Sequence, residues 1–266
     1  MKNTFKRISL WLGLLMLPLS VFAQLNVLIS GGFSGPYEQL LPQFERANNI
    51  KVITGSGASQ GTGPQTIKAQ LARGVAADVV ILSREGLSEL VALGKIAAGT
   101  DVDLAKTPLG IAVRKGAAKP EVSTIDAFKR VMTTAKLVVA PASTSGIFLK
   151  DDVLPKLGIA SSVNLKLIPR GAAAAAMVAS GEADIAVMPV SEIVNAPGVE
   201  LVGVIAEEIQ LNQIFAAAVV LGAKEVRAAK RLIAFLASSE SASAIKSGGM
   251  EPMTPQRLCG SCIIAR

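Results

Sequence analysis

Histidine is absent from all 266 residues. Its absence removes every chemistry that needs imidazole as a base, a nucleophile's partner or a metal ligand. Cysteine occurs only twice, as Cys259 and Cys262 in a "CGSC" tail after "EPMTPQ". A redox pair is expected at the start of a helix in a βαβ setting, and two thiolates alone do not complete a zinc site; in an exported protein they can oxidise. Aromatic residues make up 4% of the chain, which argues against stacking on a sugar ring. Basic residues are scattered, with no run interleaved with aromatics, so nucleic acid is not an expected partner. No GxxxxGK loop is present, which speaks against nucleotide binding. No metal and no cofactor is expected.

The chain does have a leader. In "MKNTFKRISLWLGLLMLPLSVFAQ", Lys2, Lys6 and Arg7 precede an apolar run from Ile8 to Leu19 and a small-residue site ending at Ala23. The run is short for a bilayer span and no stop-transfer segment follows, so residues 1–23 read as a signal peptide and the mature protein as periplasmic. Without those three cations the chain carries 24 basic against 20 acidic residues, a net charge of +4. That mild positive balance suits an anionic ligand. The remaining length is enough for one large or two modest domains.

Short apolar strands alternate with helical segments, the pattern of an α/β fold with mostly parallel sheet. The strand candidates are "NVLIS", "IKVITG", "ADVVIL", "PLGIAVR", "KLVVAP", "NLKLIP", "ADIAVMP" and "IFAAAVVL". Helical spacing covers Tyr37 to Asn48 and Pro64 to Arg73. In "STIDAFKRVM", Ser123 is the expected cap. An alanine-rich helix from Gly171 to Ser180 stops at Gly181, and further helices run through "KEVRAAKRLIAFLASSESASAIKSG". No flexible linker marks a boundary, so two domains would have to exchange strands.

Four strand-to-helix junctions are built from small or hydroxylated residues. They are "SGGFS" with Ser30, Gly31, Gly32 and Ser34, and "TGSGASQGTGP" with Ser56, Ser59 and Thr62. The other two are "APASTSGIF" with Ser143, Ser145 and Gly146, and "PRGAAAA" with Arg170 and Gly171. Glycine, serine and threonine are also ordinary turn and cap residues. Their recurrence at the carboxyl ends of strands, where open α/β sheets bind ligands, predicts a cleft of neutral donors that holds an anion. Arg170 offers a two-point grip on a carboxylate or tetrahedral oxyanion, and Glu192 in "PVSEI" is placed to pair with it or with a ligand donor. Phe33 and Tyr37 read as core.

In order and spacing, "LNVLISGGFSGPYEQLLPQFE", "LARGVAADVVIL", "STSGIFLKDDVLPKLGI" and "GEADIAVMPVSEI" resemble the periplasmic solute-binding proteins of the molybdate-binding type that serve ABC importers. The resemblance covers Leu25 to about Pro252. It implies a type II periplasmic-binding-protein fold of two α/β lobes, each a mostly parallel sheet flanked by helices, which are joined by two crossing strands and close on a solute. Lobe one would comprise residues 24–106 and 213–266, and lobe two residues 107–212. Carried across, Ser145 and Gly146 match the oxyanion contacts of lobe two, and Gly171 the contact that follows. The departures are Gly32 in place of the first-junction serine, with Ser30 or Ser34 as substitutes, a longer second junction, the added charge of Arg170, and Pro189 where the family has a tyrosine. They make a small organic carboxylate as good a candidate as a molybdate-like oxyanion. The expectation is a monomeric binding protein, not an enzyme, that captures a small anionic solute and delivers it to an inner-membrane ABC permease. The alternatives are a sensor that signals to a receptor, and an enzyme using Glu192 or Asp184 as acid or base.

Overall fold

The computed structural model describes residues 24–253. The expected leader and the Cys259/Cys262 pair lie outside the described residues. The chain starts one sheet with β1 (Gln24–Ile29), β2 (Lys51–Ser56), β3 (Val79–Ser83) and β4 (Val102–Thr107). It then leaves through Pro108 for a second sheet of β5 (Leu109–Arg114), β6 (Val138–Pro141), β7 (Leu165–Ile168), β8 (Ile185–Pro189) and β9 (Val199–Val204). It returns as β10 (Gln213–Val219) and ends with the short β11 (Glu251–Pro252). The strand orders are β11-β4-β10-β3-β1-β2 and β7-β6-β8-β5-β9.

Most strands of each sheet run one way, as expected for this fold, with β10 and β11 in the first sheet and β5 in the second set against them. β1 pairs in parallel with β2 and β3, and β6 with β7 and β8. β5 and β10 are antiparallel to every neighbour they have. The cause is the route of the chain. Strands threaded by helical crossovers all point their carboxyl ends at the gap between the sheets, whereas β5 and β10 enter from that gap and must run away from it.

The strands missed by periodicity explain themselves. β4 ("VDLAKT") and β9 ("VELVGV") do not alternate cleanly, β9 being mostly half-buried and β4 split evenly between buried and half-buried residues, and β11 has two residues. By contrast all five residues of β3 are buried, as expected for a strand covered on both faces.

Helices cover the sheets as α1 (Ser34–Asn48), α2 (Ile67–Ala72), α3 (Arg84–Ala92), α4 (Ile125–Thr134), α5 (Thr144–Phe148), α6 (Leu154–Lys156), α7 (Gly171–Ser180), α8 (Val190–Ile193), α9 (Val226–Leu236) and α10 (Ala242–Ser247). Thr124, not Ser123, caps α4, its Oγ1 accepting from the Ala127 amide at 3.2 Å. Likewise α2 starts after Thr66 rather than at Pro64, because the Thr66 hydroxyl accepts from Ala69 N at 3.1 Å and so satisfies a free first-turn donor. α7 ends as expected at Gly181, in the left-handed region at φ 84°. On α9, Ala228, Ala229, Leu232, Ile233 and Leu236 form one buried stripe that packs with Phe33, Tyr37 and Phe44 of the first sheet's core.

A buried carboxylate ties this core to the chain's return. Asp78 is 2% exposed. Its Oδ2 accepts from Asn26 N at 2.8 Å, and its Oδ1 accepts from Lys224 N and Glu225 N at 2.8 and 3.0 Å, just ahead of α9. Asp78→Ala orphans three amides, and each orphaned buried donor costs about 1–3 kcal/mol. Urea unfolding should therefore show a loss on the order of 3 kcal/mol or more.

Candidate functional site between the sheets

The carboxyl ends of β1, β6 and β8 face one cavity of about 670 Å³. That is generous for a single tetrahedral oxyanion and usual for an organic ligand. Of the residues singled out from sequence, Ser30, Gly31, Ser34, Ser59, Ser143, Ser145, Arg170 and Gly171 line it. Several of their hydroxyl oxygens already bond to the protein, and those that accept keep their own O–H to donate. Ser34 Oγ donates to Gly31 O at 2.7 Å, Ser59 Oγ accepts from Ser83 N at 2.9 Å, and Ser143 Oγ accepts from Gln60 N at 3.2 Å.

Five residues fall outside the lining. Gly32 is needed for packing, since a Cβ there would stand 2.0 Å from Phe215 Cζ. Gly146 lies against backbone, with its would-be Cβ 1.9 Å from Pro141 O. Thr62 is exposed on a loop. Pro189 closes β8 in register with Leu109. Ser56 is exposed but accepts a hydrogen bond from Arg170 Nη1 at 2.6 Å, a link from the first sheet to the second. A further link joins Thr144 Oγ1 to Ser83 Oγ and to Gln60 Oε1, each at 2.8 Å. The two halves thus meet around the cavity.

The structure adds residues that the junction pattern did not reveal: Ser191 and Glu192 from α8, and Gln213 and Phe215 from β10. Gln213 had a legible signal, being a polar residue that opens the apolar run "IFAAAVVL". The sequence marks Glu192 as a partner for Arg170 or a ligand donor, and as the acid or base of the enzyme alternative. Its carboxyl is wedged between the first and fourth junctions. A Cβ on Gly31 would lie 3.0 Å from Glu192 Oε2, and one on Gly171 1.5 Å. The two glycines make the room that this carboxyl occupies. Asp184, the other carboxylate considered, is exposed at the opposite end of β8 and accepts from Leu137 N at 2.9 Å.

Burial pushes the Glu192 carboxyl up to about 7 from 4.5, against the opposing pull of the Arg170 charge. Because the folded state holds this proton more tightly than the unfolded chain, the group's stabilising contribution is complete below about pH 4.5 and is lost as pH rises through 7. The urea midpoint of the ligand-free protein should accordingly fall between pH 5 and pH 8, and Glu192→Gln should flatten that slope.

Comparison with known proteins bears on what such a cavity is used for. A curated protein of Pseudomonas sp., named aconitate isomerase, is 36% identical over 234 residues, 87% of this chain and 89% of its own length. This overturns the expectation of a protein that makes and breaks no bond, because so extensive a relative is an enzyme. Two solved structures share the fold. The periplasmic molybdate-binding protein of Azotobacter vinelandii (19% identity, TM-score 0.62) is matched over 87% of this chain and 100% of that one. The sulfate-binding protein SubI of Mycobacterium tuberculosis (19% identity, TM-score 0.63) is matched over 87% of each. The profile of the family described as bacterial extracellular solute-binding protein matches residues 25–251, nearly the whole described chain, and to that family this protein belongs.

Proposed function

We propose that the protein isomerises aconitate, or a closely similar unsaturated tricarboxylate, by carrying one proton between two carbons of the bound molecule on Glu192. Aconitate is propene with a carboxylate on each carbon. Its cis and trans forms interconvert when the methylene loses a proton and the far end of the three-carbon unit regains one. One C–H bond breaks, its electron pair spreads over the allylic carbons and the terminal carboxylates, and a new C–H bond forms at the other terminal carbon. The balance needs no water, oxidant or cofactor.

The observation that carries this reading is the Glu192 carboxyl itself, set inside the cavity and poised near 7. A group of that affinity is ionised often enough to take a proton and acidic enough to return it. In a site for anions, a carboxylate that only bound ligand would repel it, so its placement favours proton transfer. Arg170, at the cavity and exposed, suits one substrate carboxylate in a two-point grip. Arg170→Ala should raise KM about tenfold or more, a hydrogen bond to a charged group being worth about 1.5–3 kcal/mol.

The test is to incubate the protein with pure cis- or trans-aconitate in D2O and follow both isomers by proton NMR. Interconversion of the two isomers is expected, with deuterium entering the carbon frame to the extent that the proton held by Glu192 exchanges with solvent between the two transfers. Neither isomer changing, and no deuterium uptake, would sink the proposal. A second role is favoured by the family's solute-binding description: capture of an organic acid in the periplasm for an inner-membrane ABC permease. Thermal-shift comparison of tricarboxylates with molybdate and sulfate reports on it, since a tight binder raises the midpoint by mass action.

A further inference from the structure

Four side-chain atoms among the described residues are buried without a hydrogen-bond partner, and three of them belong to residues that line the cavity: Ser30 Oγ, Ser191 Oγ and Gln213 Oε1. The fourth, Glu85 Oε2, belongs to the first turn of α3 and not to the cavity lining. The three residues are 4%, 6% and 3% exposed, a costly state for polar groups with nothing to bond.

The fold explains why they gather at one end. Gln213 is in register with Thr107, and the Thr107 hydroxyl accepts from Ser191 N at 3.3 Å. Ser30 leads into Gly31 and Gly32, which pack on Glu192 and on Phe215, the next residue but one from Gln213 on the same face of β10. Ser30 belongs to the first sheet's junction, Ser191 to α8 after β8 of the second sheet, and Gln213 to the start of β10, where the chain re-enters the first sheet. All are neutral, whereas Arg170 is the cation of the cavity lining.

We propose that Ser30, Ser191 and Gln213 form a deep, uncharged carboxylate subsite that seats one terminal carboxylate of the substrate, while Arg170 takes the carboxylate at the other end. The assignment rests on the isomerase reading and names its specificity. The two hydroxyls donate to the carboxylate oxygens, and the Gln213 amide donates through its NH2, which a half-turn about the terminal bond exchanges with the unpartnered Oε1, itself only an acceptor. Because electron density flows onto the terminal carboxylates when the proton leaves, neutral donors there gain strength as the reaction proceeds. The central carbon then lies between two anchors, with both terminal carbons presented to the one carboxyl of Glu192.

The experiment uses Ser30→Ala, Ser191→Ala and Gln213→Leu, with saturated propane-1,2,3-tricarboxylate as the binding probe. Removing a buried group that bonds nothing relieves strain in the free protein. The ligand-free melting midpoint should therefore hold or rise in the serine variants while affinity for the probe falls 3- to 10-fold in each, with kcat for isomerisation falling further than KM rises. A purely structural role gives the opposite pair of signs, a lower ligand-free midpoint and unchanged affinity, and would overturn the assignment. So would a wild-type protein that does not bind the probe. A wild type that binds the probe but interconverts no aconitate defeats the isomerase reading alone, and the affinity changes in the three variants still decide the subsite.

Discussion

Replacing Glu192 by Gln should lower kcat for isomerisation by about 10²- to 10⁴-fold, the span usual for a single positioned acid–base group. The substitution keeps size and shape but cannot accept a carbon-bound proton. The carboxyl fills the space left by Gly31 and Gly171, so the amide fits the same slot and the fold should survive. Binding should hold or tighten, because the variant removes a negative charge from a cavity that receives anions. The pH dependence separates this role from a packing role. With the carboxyl at about 7, wild-type kcat/KM should climb through that range to a plateau, as required of a base in the free enzyme. The residual activity of the variant should lack that limb. If kcat/KM of the wild type were flat between pH 5.5 and 8.5, Glu192 would not be the proton carrier.

Gly171→Ala should be nearly as severe for activity and mild for stability. A Cβ at this position would stand 1.5 Å from Glu192 Oε2 and 3.1 Å from Met188 Cε. The backbone there is helical, and alanine is the better helix former by about 1 kcal/mol. The yielding party is the end of a flexible side chain, so the carboxyl swings out of its slot while α7 stays in place. A 100-fold or greater loss of kcat is expected, with the melting midpoint within a few degrees of wild type. Once the carboxyl reaches solvent, its elevated proton affinity is lost, and the fall of the urea midpoint between pH 5 and pH 8 should flatten as it does for Glu192→Gln. An active Gly171→Ala protein would mean that the carboxyl reacts from elsewhere.

The cavity is made by residues whose jobs differ although their letters look alike. Gly31 and Gly171 give way to a carboxyl, Gly32 to the Phe215 ring, and Gly146 to the Pro141 carbonyl. All four occur in similar small-residue junctions, and no local pattern tells a glycine that exposes amides from one that admits a side chain. The same holds for the serines. Ser59 and Ser143 accept from Ser83 N and Gln60 N, which fixes where their hydroxyls sit, whereas Ser30 and Ser191 are left without partners.

The sequence alone determined the alternation of strand and helix, the junctions at the carboxyl ends of the strands, the stop of α7 at Gly181 and the exclusion of imidazole chemistry. These follow from local rules: apolar periodicity, glycine's access to positive φ, and simple presence or absence of a residue type. Tertiary structure decided which way β5 and β10 run, which hydroxyls bond to the protein, and above all that Glu192 stands inside the cavity while Asp184 stands at the other end of the same strand. Those outcomes depend on contacts between segments far apart in the chain, such as Gly31 with Glu192 or Thr107 with Gln213. The proton affinity of a carboxyl is set by the burial and charge that such contacts create, and no stretch of sequence around "PVSEI" contains them.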